Sequence, residues 1–355
     1  MRAGVTVNIP KIRYNADIII RTCAEKGIDV AAVTKMHSAD AKISKALTDS
    51  GIKYLADSRI ENLKKLKEEN IPAERWLMRI TAPSIVKEVV EYSDLSFQSE
   101  LSTVRLIDDE CHRIGRNHKI MLMWDLGDLR EGYFETEDIL SAVRAIDKMD
   151  GVILSGLGTN LSCYGGVKPT YKNLSRLVEV AGMIENETGK KLEHISGGNS
   201  TSYSLLLAGN MPEGITNLRI GDTFYFGRNM QERVYLDYMH NDCFVLTGEV
   251  VEIKTKPSVP IGERGYAALN SLPEFEDKGD IVRAIISVGK QDIDLDMSPL
   301  EDGIQILGAS SDHLICDITN AERKISVGDK ISFNMLYTAT MRSFTSKYID
   351  KYYIE

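Results

Sequence analysis

The chain has 355 residues, 43 lysines and arginines against 52 aspartates and glutamates, and a formal net charge of −9. That balance excludes a nucleic-acid scaffold, which needs clustered positive charge, and the ordinary apolar content excludes a disordered or collagen-like chain. No apolar run is long enough for a membrane span, so no membrane partner is expected, and the opening MRAGVTVNIPKIRYN lacks the apolar core of a secretory signal. A cytoplasmic location follows as an expectation. The five cysteines are odd in number and form no CxxC pair, as suits a reducing compartment with thiols used as small core residues.

In chain order, short apolar strands alternate with amphipathic helical stretches. Strands are predicted over 30–34, 53–56, 76–78, 95–97, 120–124, 152–157, 193–196 and 216–220. Helical periodicity falls between them, as in 43–47, 60–66, 101–114, 139–146 and 174–184. Eight β/α units predict an α/β chain with a (β/α)8 TIM-type barrel. A doubly wound sheet is the rival, but the turn after the first strand reads TKMHSAD, without the glycines of a dinucleotide fingerprint. From about residue 240 strand-like segments dominate (244–253, 282–288, 304–307, 313–318, 330–333), and no strong helix is evident. The expected organisation is a barrel over 1–238 and a smaller, mostly β domain over 239–355.

A barrel of this kind carries its site where the strands end. Lys35 ends the first apolar strand, and an amine rooted there is expected to be partly desolvated, hence a better nucleophile toward carbonyls. An ordinary snorkelling lysine is the plainer reading. SGGNSTS (196–202) opens a helix and suits a phosphate, although Asn199 or Ser200 could simply be its N-cap. Arg219, alternating with Leu218 and Ile220, is expected to point inward; an internal salt bridge with Asp125 or Asp57 would satisfy it equally well. Lysine, phosphate-type turn and inward arginine at one mouth suggest pyridoxal 5'-phosphate, its aldehyde joined to the lysine as a Schiff base.

The segments ADSRIENLKKLK, DLGDLREGYFE, SGGNSTS, EGITNLRIGD, KPSVPIGE and ILGASSDHLICDI resemble the alanine racemase-type, fold-type III pyridoxal-phosphate enzymes, and among them the ornithine racemase group. The resemblance covers nearly the whole chain. It implies a racemase of an amino acid, with a basic one such as ornithine or lysine as substrate, acting as a homodimer with shared sites. By the same resemblance Lys35 holds the cofactor and moves one proton. Arg219 faces the ring nitrogen, and Asn160 lies against the ring. Asn199, Ser200, Gly221, Asp222 (through its backbone) and Tyr337 hold the phosphate, and Arg130 holds the substrate carboxylate. Ser311 and Asp312 reach from the β domain. Ala39 stands where alanine racemases carry a tyrosine. The second base is assigned to Tyr266, whose plainer reading is a solvent-facing loop residue; His37 and His313 are lesser candidates. Asp292, Asp294 or Glu131 would meet a distal ammonium. A decarboxylase lacks its CESGD-like motif here. A metal-assisted D-threonine aldolase-like lyase would rest on His313 and Cys316 alone. A non-catalytic pyridoxal-phosphate carrier would have no use for the β domain.

Overall fold

A computed structural model describes residues 3–266 and 274–355. Backbone contacts divide the chain into two compact units, Ile12–Asn241 on one side, and the stretch up to Lys11 with Asp242–Glu355 on the other.

The opening strand β1 (Gly4–Asn8) and helix α1 (Ile9–Ala24) come first. The barrel follows as β2 (Asp29–Val33), α2 (Ala41–Asp49), β3 (Tyr54–Asp57), α3 (Ile60–Glu68), β4 (Glu74–Leu77), α4 (Val86–Tyr92), β5 (Leu95–Gln98) and α5 (Leu101–Ile114). It continues through β6 (His118–Met123), α6 (Thr136–Ile146), β7 (Val152–Gly158), α7 (Tyr171–Thr188), β8 (His194–Ser196), α8 (Ser200–Leu207), β9 (Asn217–Ile220) and the short α9 (Asp222–Phe226). Strands β2 to β9 form one closed barrel, every neighbouring pair parallel, with β9 returning to β2. This is the expected eight-stranded barrel, each strand within two residues of its predicted limits at either end. A small ribbon of β10 (Arg228–Asn229) and β11 (Val234–Tyr235) ends the unit.

Alternate residues of the strands fill the barrel. Ala31, Val33, Tyr54, Ala56, Trp76, Leu95, Phe97, Met121 and Met123 form one buried cluster. Near its lower end Trp76 packs on Tyr54 (ring centroids 4.6 Å) and on His194 (4.8 Å). The interior is therefore a packed core, and chemistry is confined to the mouth.

The second unit is mostly antiparallel β: β12 (Phe244–Pro257), β13 (Asp280–Ile286), β14 (Met297–Pro299), β15 (Gln305–Ala309), β16 (Leu314–Asp317), β17 (Lys330–Met335), then α10 (Tyr337–Thr345) and β18 (Asp350–Ile354). Its strand order is β14-β17-β12-β13-β16-β15. Two features depart from the sequence reading. First, β1 belongs to this sheet, antiparallel to β12 and parallel to β18, so the chain's first residues join the second unit, not the barrel. Second, α10 is a helix where none was expected. Its sequence YTATMRSFT is poor in strong helix formers, and its first turn is capped from 42 residues away: Asp296 accepts from Thr338 N and Thr338 Oγ1, both at 3.2 Å.

Candidate active site

The barrel mouth gathers eight of the residues singled out from the sequence: Lys35, Arg130, Asn160, Asn199, Ser200, Arg219, Gly221 and Asp222 all follow or end strands on the same face. Lys35 opens a single 3-10 turn, Lys35–His37, directly after β2. Its neighbours Thr34, Met36 and His37 are buried, yet Lys35 itself is exposed. The expectation of a partly desolvated amine is thus corrected: burial of the apolar run stops short of this side chain, which is exposed. Its amine makes no hydrogen bond or ion pair among the described residues, so it is available to a ligand.

The turn that carries Lys35 is held by buried polar groups. Thr34 Oγ1 donates to Asp57 Oδ2 at 2.6 Å, and Arg59 N (2.9 Å) and Asn62 Nδ2 (3.0 Å) complete the Asp57 carboxylate. Burial with no cationic partner raises the Asp57 pKa. His37 Nδ1 accepts from Asp40 N at 3.0 Å, which leaves Nε2 as the protonated nitrogen facing Tyr225 Oη at 2.9 Å. Ser38 and Ala39 both adopt positive φ (50° and 48°), a left-handed pair that costs about 1 kcal/mol or more per residue.

Arg219, on β9, is 4% exposed and points into the barrel mouth. Nη1 donates to Ser196 Oγ and Nη2 to the Thr159 carbonyl, each at 2.6 Å, and the guanidinium stacks 5.1 Å from the Phe97 ring. No carboxylate pairs with it among the described residues; the salt bridge with Asp125 or Asp57 does not form. Asp57 is committed to Thr34, Arg59 and Asn62, and Asp125 Oδ1 to Gly127 N and Leu129 N. Burial pulls the Arg219 pKa down to about 10, still well above neutrality.

The two phosphate-type turns are tied together, since Gly221 N donates to Ser200 Oγ at 3.1 Å. Gly221 also lies against β2: a Cβ there would stand 3.1 Å from Val33 Cβ. Asn199 caps α8 by accepting from Thr201 N (2.8 Å) and spends its amide donor on Leu161 O (2.8 Å), so its side chain serves the loops. The Asp222 carboxylate turns aside to Arg228, both contacts 2.8 Å, as a role through its backbone requires. Arg130 forms a two-pronged ion pair with Glu131; although burial alone would lower its pKa, that pairing carries it upward. Asn160, with its amide oxygen turned toward donors, accepts from Arg130 Nη2 (3.2 Å) and Leu161 N (3.3 Å). Glu131 is thus already neutralised by its neighbour.

Asp128, which the sequence did not single out, is buried. It accepts backbone N–H bonds from Ser162 (3.1 Å), Tyr164 (3.0 Å) and Val167 (3.0 Å), folding the loop after β7 around one carboxylate. Burial opposes its charge, but these bonds prevail and lower its pKa. The aspartate alternating with glycines in DLGDLREG was the available signal. Gly132 folds that segment back: its φ is +122°, and a Cβ there would lie 2.8 Å from Asp125 N.

The remaining candidates belong to the second unit. Tyr266 is 74% exposed on the β12–β13 connection, and Ser311 and Asp312 are exposed on the turn before β16. Tyr337 begins α10. Asp292 accepts from Ser346 Oγ (2.6 Å), and Asp294 lies 3.9 Å from Arg342, so both carboxylates have local work. Among the described residues no cluster of three metal-ligating side chains occurs. His313 is exposed, whereas burial pushes the Cys316 thiol up to about 12, away from the thiolate a metal would need.

The mouth suits pyridoxal phosphate on its own chemistry. It offers an exposed amine for an aldehyde and a buried donor with no anionic partner for a ring nitrogen. Two buried hydroxyls nearby, Thr159 Oγ1 just after β7 and Ser202 Oγ in the first turn of α8, have no hydrogen-bond partner among the described residues.

A closed eight-stranded parallel barrel and a mostly antiparallel β unit define a class of two-unit (β/α)8 proteins. The family described as the alanine racemase N-terminal domain matches residues 7–229. The chain is 43% identical to the ornithine racemase of Acetoanaerobium sticklandii over 352 residues, 99% of both proteins. It is 35% identical to the lysine racemase of Thermotoga maritima over 349 residues, 98% of this chain and 97% of that one. In fold it is similar to an alanine racemase of Clostridium difficile (TM-score 0.76, 16% identity, 100% of this chain and 96% of the other). A D-threonine aldolase of Filomicrobium marinum is also similar (TM-score 0.73, 11% identity, 96% and 89%). The chain belongs to the alanine racemase family.

Proposed function

We propose that this chain racemises a basic amino acid, ornithine before lysine, with pyridoxal phosphate held at the barrel mouth. One juxtaposition carries the reading: an exposed lysine opens the turn that follows β2, while β9, hydrogen-bonded beside that strand, delivers a buried arginine and then Gly221. The full-length similarity to an ornithine racemase and a lysine racemase supports the substrate class. When bound, the cofactor takes up the electron pair left as the substrate Cα–H bond ionises.

The chain's own groups would do the rest. Lys35 would anchor the cofactor and remove or return the α-proton on one face. Tyr266, supplied by the β domain of a homodimer partner, would serve the other. Arg219 would donate to the ring nitrogen and keep its own proton, because a guanidinium does not give one up at neutral pH. Asn199, Ser200, Gly221, Asp222 and Tyr337 would bind the phosphate, the first four of them from the linked turns after β8 and β9. Arg130, braced by Glu131 and Asn160, would hold the substrate carboxylate, with Ser311 and Asp312 closing the site. Chiral chromatography of L-ornithine, L-lysine, L-alanine and L-serine after incubation with the protein and cofactor tests this. D-ornithine should accumulate fastest, toward an equal mixture. Loss of carbon dioxide or cleavage to smaller products would refute it.

A further inference from the structure

The lysine turn contains a buried link that the proposed reaction does not use. Tyr225, in α9, is fully buried, and its hydroxyl contacts both arms of the turn. Tyr225 Oη donates to the Val33 carbonyl at 3.1 Å, and it faces His37 Nε2 at 2.9 Å. Val33 is two residues before Lys35 and His37 two residues after it. One phenol therefore ties the backbone before the lysine to the His37 side chain after it, and the Thr34–Asp57 contact pins the turn again next door. The His37 and Tyr225 rings also meet edge to face, 5.4 Å between centroids. Immediately beyond, Ser38 and Ala39 keep their left-handed conformation, which a loose turn would relax. A lysine amine rides on four rotatable bonds, so the fixed root decides where it can reach. Helix α9 also begins at Asp222, so the same short helix connects the phosphate-type turn to the lysine turn.

We propose that His37 and Tyr225 are positioning residues that set the root of Lys35 against the turn at Gly221–Asp222. The proposal rests on the reading that Lys35 is the reacting amine. It makes neither side chain a proton carrier in the reaction.

The test uses the full chain with Tyr225→Phe, which keeps the ring and removes only the hydroxyl. A second variant, His37→Asn, keeps an acceptor for Asp40 N but loses the donor to Tyr225. Both should lower kcat for ornithine by about ten-fold with KM within two-fold of the parent, as expected for a misplaced reacting group. In protein stripped of cofactor, the absorbance band that appears on adding pyridoxal phosphate should form about ten-fold more slowly, to the same final height at saturation. If either variant folds and shows both rates within two-fold of the parent, the positioning role is wrong, even if its Tm has fallen. Should Tyr225→Phe not fold, His37→Asn decides alone. Borohydride trapping and peptide mapping of the parent separate the two claims. A label on a lysine other than Lys35 defeats the underlying reading, whereas a label on Lys35 with unslowed variants defeats only this one.

Discussion

His37 stays neutral in the folded barrel because burial outweighs the opposing charge of Asp40: its pKa is lowered to about 4, from an ordinary value of 6.5. In the unfolded chain the same ring takes up its proton near pH 6.5. Between those values the unfolded state binds the extra proton, so stability is intact above about pH 6.5 and falls as the pH drops toward 4. The full effect is about 3 kcal/mol. Buried His118, pushed down to about 3 for the same reason, extends the loss further into acid. Thermal unfolding followed from pH 7 to pH 4 should show Tm falling through this window, with a shallower fall in His37→Asn; parallel curves would exclude His37 as the source. At this scale the sequence announced Lys35 and Arg219, since a charged residue on an otherwise apolar strand has few places to go. It did not announce Tyr225, because an aromatic in a buried stretch reads as packing, and only the fold brings its hydroxyl to the lysine turn.

Among the elements, the loop after β7 depends most on one side chain. Residues 161–167 wrap three backbone N–H groups around the Asp128 carboxylate, itself on the loop after β6, so two strand-end loops are joined by one acceptor. Asp128→Ala strands those donors and should cost about 2–3 kcal/mol. It should also open the segment to proteolysis between 161 and 167. An unchanged urea midpoint and digestion pattern would show that the loop holds itself. The eight barrel strands could be read in advance because each contains a short, largely buried apolar run bounded by polar junctions. The shape of this loop could not be read, since no local pattern in DLGDLREG names the N–H groups that fold over it. β1 and α10 were hidden for the same reason. GVTVN finds its partners, β12 and β18, more than 230 residues later, and the first turn of α10 is capped by Asp296 from a distant segment.

For the whole molecule, the residues proposed for the site fall on two compact units. The barrel mouth brings Lys35, Arg219, Ser200 and Gly221 to one place, while Tyr266, Ser311, Asp312 and Tyr337 lie in the other unit. The barrel half was legible because position in a β/α alternation fixes where a residue must emerge. The β-domain half came only from resemblance, because an exposed tyrosine on a long strand connection carries no intrinsic mark of function. The account as a whole stands on Lys35 being the amine that holds the cofactor. Mass spectrometry of the borohydride-reduced protein, parent beside Lys35→Ala, tests it most directly. The parent should carry one phosphopyridoxyl group, mapped to Lys35, and the variant should carry none and leave L-ornithine optically unchanged. A variant that is still labelled and still racemises would contradict the account.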